Sequence, residues 1–189
     1  MVKIVGIDPG LAETGIGIVW GRPRAVAGFA HGTIRTPKTD HQAHRLNQIH
    51  DRILKTLKQE APDLMLVEDI FSLGKYPKSG ISLGKVSGVV LLAGAQAGVP
   101  SLEVQVREAK QVLTGNGNAT KEQVEIAVRQ HLNLKEPLRP LHVSDALALA
   151  LIGLFRFETI IKKLYLQVFS YSNHLHIRRN IKSVLQFGM

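Results

Sequence analysis

The chain of 189 residues contains no cysteine. Disulfides, thiolate nucleophiles and cysteine-ligated zinc are excluded, and the composition fits a reducing cytoplasm. Aromatic residues are scarce. There are six Phe, three Tyr and one Trp, and Phe157, Tyr165, Phe169, Tyr171 and Phe187 all fall beyond Arg156. The longest strongly apolar stretch, residues 86–99, reads as too short to span a bilayer and is interrupted by Ser87, Gly88, Ala93 and Gly94. The N-terminus opens directly on a strand pattern rather than a signal-peptide pattern. Acidic residues are few, with 15 Asp and Glu against 24 Lys and Arg, a formal charge of +9. The excess is uneven. From Arg156 onward, six basic residues face the single acid Glu158. A basic chain favours polyanionic partners, nucleic acid first. For the main domain the excess is modest, and a merely solvated basic surface fits it as well.

Hydrophobic content of 44% is enough for one substantial domain. Val2-Lys3-Ile4-Val5-Gly6-Ile7 and Leu64-Met65-Leu66-Val67 are short, Val- and Ile-rich runs that read as buried strands. Residues 14–20 and 25–36 read as two more strands, joined by links so short that the first three must run antiparallel. Residues 42–60 predict a helix with Leu46, Ile49, Ile53, Leu54 and Leu57 on one face. The segment 69–80 reads as a polar loop and 81–98 as an apolar helix. A short strand (100–106), a short helix (107–113) and a Gly/Asn turn (115–118) follow. Thr120 with Gln123 forms a capping-box pattern for a helix to about residue 132. After a linker with Pro137 and Pro140, residues 142–155 read as the last clear helix. The order predicts an α/β fold, a mixed five-stranded sheet with helices on both faces, over residues 1–156. Residues 157–189 form a basic, aromatic-rich tail, in which Ile160, Ile161, Leu164 and Val168 have the spacing to continue a helix.

Each of two buried strands ends in an acid, Asp8 and Glu68. Ionised carboxylates are costly there unless paired or bound to a cation. If the strands are neighbours, the two acids converge; otherwise each simply marks a strand leaving the core. His142 and Asp145, spaced i, i+3, share a face at the start of the last helix. Beside Asp8 and Glu68 they would make a site of three carboxylates and one imidazole. Oxygen donors suit Mg²⁺ or Mn²⁺, and an imidazole tilts the preference toward Mn²⁺. On sequence alone, capping the helix is the favoured role for Ser144 and Asp145.

Gly6-Ile7-Asp8-Pro9-Gly10 with Thr14-Gly15, Val67-Glu68-Asp69-Ile70-Phe71, Lys110-Gln111 ahead of Gly115-Asn116-Gly117, then Lys121, and Asp145-Ala146-Leu147-Ala148 stand in a fixed order. In order and spacing, residues 2–155 resemble the RuvC family of crossover-junction endonucleases. The resemblance implies a ribonuclease H-like fold and a homodimer dependent on Mg²⁺ or Mn²⁺, two ions per site. It also implies paired nicks in a four-way (Holliday) junction leaving 5′-phosphate and 3′-hydroxyl ends, and cooperation with the RuvA and RuvB branch-migration proteins. By position, Asp8, Glu68 and Asp145 correspond to the family's metal-binding acids, with Asp8 shared between ions. His142 stands where many members carry a fourth Asp. Lys110 and Lys121 match basic residues near the scissile phosphate, and Phe71 matches an aromatic that stacks on a base. Lys75, Lys78 and Lys85 are weaker candidates for a phosphate channel, and Arg107 is weaker still. Because a ligating histidine must be deprotonated, activity is expected to fall below about pH 6.5.

Three other readings share parts of this pattern. Asp8-Pro9-Gly10 with Thr14-Gly15 also resembles the first phosphate loop of actin-like ATPases and sugar kinases, but no second phosphate loop is visible. A non-catalytic junction-binding protein would keep the fold and basic face. A ribonuclease H-like nuclease with another substrate would keep the acids.

Overall fold

The structure, a computed structural model, describes residues 1–69 and 77–171. The chain divides into two compact units, Met1–Phe155 and Arg156–Met189. In the first unit, β1 (Val2–Asp8), β2 (Glu13–Arg22) and β3 (Ala25–Arg35) precede α1 (Gln42–Glu60), β4 (Leu64–Glu68) and α2 (Pro77–Ala97). β5 (Ser101–Val104), α3 (Val106–Thr114), α4 (Lys121–His131) and α5 (Leu141–Phe155) complete it. In the second unit, α6 covers Phe157–Tyr171, so the helical spacing seen beyond residue 157 is realised.

The strands form one five-stranded sheet in the order β3-β2-β1-β4-β5. β1–β2 and β2–β3 are antiparallel, as their short links require, whereas β4 pairs parallel with both β1 and β5. Strand alternation sends side chains to two cores. Val5, Ile7, Ile16, Ile18, Met65 and Val67 meet Ile49, Ile53 and Leu57 of α1 and Val86, Val90 and Ala93 of α2. The other face of the sheet carries α5, whose residues from Val143 to Leu154 are buried apart from Asp145. The expected mixed sheet with helices on both faces is observed.

Helix α2 starts at Pro77, four residues earlier than expected. A proline is compatible with a first helical turn because the missing N–H has no intrahelical acceptor there. The earlier start also corrects the expectation about apolar length, since Ser79–Ala97 is long and apolar enough by composition to cross a membrane. Its Val86, Val90 and Ala93 nevertheless lie in the core cluster, while Ile81 and Leu92 remain 63% and 50% exposed.

Helix α5 reaches the sheet because the residues beneath it have no side chains. A Cβ at Gly6 would fall on the Ala146 carbonyl oxygen, one at Gly15 on that of His142, and one at Gly17 on the backbone of Leu147. At the far end the roles reverse, and Gly153 of α5 makes room for Ile4 and Leu66. Gly6→Ala and Gly17→Ala are expected to lose about 2–3 kcal/mol, the usual cost of overpacking. Gly32→Ala, where an added Cβ meets nothing within 4 Å, should stay within about 0.5 kcal/mol of the parent. Urea unfolding followed by Trp20 fluorescence measures the difference.

Candidate active site

Register fixes the first two acids. β1 and β4 run parallel with Ile7 opposite Val67, so Asp8 and Glu68 sit side by side at the strand ends. Alternation then puts Asp8 on the face of Ile4 and Gly6, and Glu68 on that of Leu64 and Leu66, which is the face covered by α5. The glycine-lined contact lowers the first turns of α5 onto this corner, and His142 and Asp145 arrive together. His142 Nδ1 lies 2.6 Å from Asp8 Oδ2. Asp8, His142 and Asp145 each offer a ligand atom, all within 4.8 Å of one another. Glu68 stands beside this trio at the end of the adjacent strand.

The corner is electrostatically costly without a cation. Asp8 is only 7% exposed. Burial, followed by the charge of Asp8 and the hydrogen bond to it, pushes Glu68 up to about 8. Burial also raises Asp145 despite its ion pair with Lys121, whose Nζ donates to Asp145 Oδ2 at 3.0 Å. The hydrogen bond to Asp8 holds His142 above its ordinary value against the opposing effect of burial. Burial works against the charge on Lys121, but Asp145, Asp8 and Glu68 together raise it. Three crowded carboxylates, two of which (Glu68 and Asp145) burial holds above their ordinary values, with an imidazole in reach, are a donor set that suits a divalent cation. The capping reading is overturned. Ser144 Oγ donates back to the Leu141 carbonyl and Asp145 is engaged by Lys121, so among the described residues neither caps α5.

Lys121 is the first residue of α4, behind the expected capping box of Thr120 and Gln123. Lys110, on α3, joins Lys121, Glu68 and Asp145 around a cavity of about 70 Å³ floored by Val106, Ala109 and Val124. Both lysines predicted for the site are therefore beside the acids. Lys85 instead donates to Gln42 on α1, and the Arg107 side chain packs against Gly117 in the α3–α4 turn. Phe71, Lys75 and the side chain of Lys78 lie outside the described residues. Sequence reasoning missed Arg45. It is buried on α1 and continues the four-residue spacing of Ile49, Ile53 and Leu57, which is the signal that marks it. A larger open cavity of about 450 Å³ between α3 and α4, lined by Leu113, Ala119 and Ile126, contains none of the acids.

A mixed sheet with acids at adjacent strand ends, and a further acid and an imidazole on a covering helix, is the arrangement of a ribonuclease H-like, metal-dependent nuclease. The family model "Crossover junction endodeoxyribonuclease RuvC" matches residues 4–153. The chain is 37% identical over 150 residues to the RuvC endodeoxyribonuclease of Rhodopirellula baltica, covering 79% of this chain and 84% of that one. It is 39% identical over 155 residues to that of Carboxydothermus hydrogenoformans, covering 82% and 97%. The structure of Thermus thermophilus RuvC in complex with a Holliday junction substrate matches with a TM-score of 0.78 at 33% identity, over 84% of this chain and 96% of that one. The chain belongs to the RuvC family of crossover junction endodeoxyribonucleases.

The raised groups give the metal-free protein a defined pH dependence. Between pH 4.5 and about 8 the folded state keeps a proton on Glu68 that the unfolded state has lost. Stability therefore falls as pH rises through that window. The raised His142 acts in the same direction, because its pairing with Asp8 is fully present at low pH and is lost as pH rises through its folded value. Thermal melts from pH 5 to 8 should show Tm declining. Glu68→Gln should flatten the decline, and Mn²⁺ at pH 8 should raise Tm by about 5 °C or more.

Proposed function

We propose that the chain resolves Holliday junctions as a homodimer, making paired symmetric nicks in strands of like polarity. The single observation that carries this reading is the convergence of Asp8, His142 and Asp145 beside Glu68 in a chain of the RuvC family. These four residues would hold Mg²⁺ or Mn²⁺. Bound there, the cations supply activation of the attacking water and stabilisation of the leaving 3′ oxygen. The ends left are then 5′-phosphate and 3′-hydroxyl, and no Ser or Tyr nucleophile is required. Asp8 and Asp145 orient the donor oxygens, with Asp8 as the ligand shared between ions and Glu68 as partner to one of them. Lys110 and Lys121 offer positive charge where the phosphate must enter, and Lys121 lies in the first turn of α4, whose free amides also favour an anion. Phe71 follows Glu68 closely enough in sequence to stack on a base near the cut.

Two symmetric nicks call for two sites related by a two-fold axis. The exposed Ile81 and Leu92 of α2 make that helix the candidate for the dimer interface. RuvA and RuvB are the expected partners on the junction, and the cytoplasm is the expected compartment.

One assay tests the reading. A synthetic four-way junction, a linear duplex and an RNA–DNA hybrid are each offered with Mg²⁺ and with Mn²⁺. Only the junction should be cut, at paired positions. Asp8→Asn, Glu68→Gln and Asp145→Asn should each lower the rate by more than about 100-fold while junction binding persists. His142→Asp should shift the preference toward Mg²⁺. Equal cutting of the linear duplex, or binding without cutting under both metals, rejects the proposal.

A further inference from the structure

Helix α1 turns Arg45, Ile49, Ile53 and Leu57 toward the interior. The last three fill the core, but the first is a guanidinium, and Arg45 is only 9% exposed. Among the described residues no carboxylate pairs with it. Its Nε donates to Thr36 Oγ1 at 2.8 Å. Holding a buried charge on one neutral acceptor costs free energy that a Met or Leu at this position would not.

The consequence of that bond is in the hydroxyl. Thr36 Oγ1 has one proton, and with Arg45 donating to the oxygen, that proton goes to the Leu11 carbonyl at 2.5 Å. A charged donor on the same oxygen strengthens the outgoing bond. The Thr36 amide donates to the next carbonyl, Ala12, at 3.1 Å. The preceding residue is tied by the fully buried Thr14, whose hydroxyl donates to the Gly10 carbonyl at 2.7 Å and accepts from the Gly10 amide at 3.3 Å. Three successive carbonyls of the turn that leaves Asp8 are thus held by two threonines.

We infer that Arg45 is a positioning residue, acting through the Thr36 hydroxyl to fix the 9–12 turn and with it the carboxylate of Asp8. Arg45 touches neither the acids nor any reacting atom, so its influence passes through the backbone. The activity and Mn²⁺ arms of the test rest on the function proposed above; the exchange arm does not.

The full-length variants Thr36→Val, Thr36→Ser and Arg45→Met are compared in three measurements: calorimetric Mn²⁺ affinity, amide exchange in the metal-free protein, and kcat and KM on a four-way junction. Thr36→Val and Arg45→Met should bind Mn²⁺ about 10-fold more weakly and lose about 10- to 100-fold in kcat, the range for removing a partner behind a ligand. KM should change less than about two-fold, since ground-state DNA contacts are untouched. Gly10 and Thr36 amides should exchange faster, with Ile53 unchanged. Thr36→Ser, which keeps the hydroxyl, should restore all three readouts. A Thr36→Val protein that is less stable yet keeps Mn²⁺ affinity and kcat would reduce the clamp to a structural tie and overturn the inference. Equal losses in Thr36→Ser and Thr36→Val would overturn it too, by assigning the effect to packing. If the parent binds Mn²⁺ but cuts nothing, the proposed function falls, and the metal and exchange measurements still judge the clamp.

Discussion

Helix α5 approaches β1 and β2 so closely that only hydrogen atoms fit at the alpha carbons beneath it. Gly6, Gly15 and Gly17 form that bare surface, and the backbone of residues 142–147 rests on it. The arrival of His142 and Asp145 at the active corner depends on this approach. With ordinary side chains on those strands the helix would ride several ångströms higher, and His142 could not come within hydrogen-bonding distance of Asp8. The sheet is thus shaped for a helix on one face and for side-chain packing on the other. On the second face, Val5, Ile7, Ile16 and Ile18 interdigitate with α1 and α2 in the usual way.

Close packing here assembles groups that repel one another. Glu68, Asp8 and Asp145 crowd a corner in which burial alone disfavours the charge on Glu68 and Asp145. Only Lys121 and a protonated His142 offset it from within the described residues. Such a corner is a local source of instability that a bound cation would relieve, and the relief would be binding energy. The same surplus negative potential keeps Lys121 charged and directs it inward. The small cavity there is thus lined by the positive charge of Lys110 and Lys121 and by the carboxyl groups of Glu68 and Asp145.

Much of this was legible in the sequence, for physical reasons. A carboxylate at the end of a buried strand is conspicuous because it is expensive, but Asp8 or Glu68 alone reads first as a strand leaving the core, and only the pair with His142 and Asp145 suggested a site. Helical spacing joined His142 to Asp145, and the capping box of Thr120 and Gln123 is local chemistry that the structure repeats. The lysines were harder, since a lysine beside an active site looks like any surface lysine; only their place in the motif order marked Lys110 and Lys121. The glycines under α5 were invisible as a group, because their meaning depends on which strands are neighbours and which helix lies across them. The start of α2 at Pro77 was missed since a proline in a polar stretch reads first as a loop. Arg45 was passed over because an apolar stripe is searched for with apolar residues, although its spacing fits the stripe.

Two supports of different kinds converge on the same corner. Packing against glycine places His142 and Asp145 of α5, and hydrogen bonds through Thr14 and Thr36 hold the turn that follows Asp8. The division has a reason. A rigid helix can be positioned by van der Waals contact because its backbone polar groups are already satisfied. A tight turn cannot, because its carbonyls at Gly10 and Leu11 find no donor in the strand ladder and need one. Side-chain hydroxyls supply them directionally, which apolar contact does not. An anionic cluster tends to push its members apart, so a ligand on an untethered turn would relax outward and lose its alignment with the others. The corner can keep its carboxylates at ligand distance only if both attachments are stiffer than the repulsion, and the buried guanidinium behind Thr36 stiffens the attachment that has no helix to rely on.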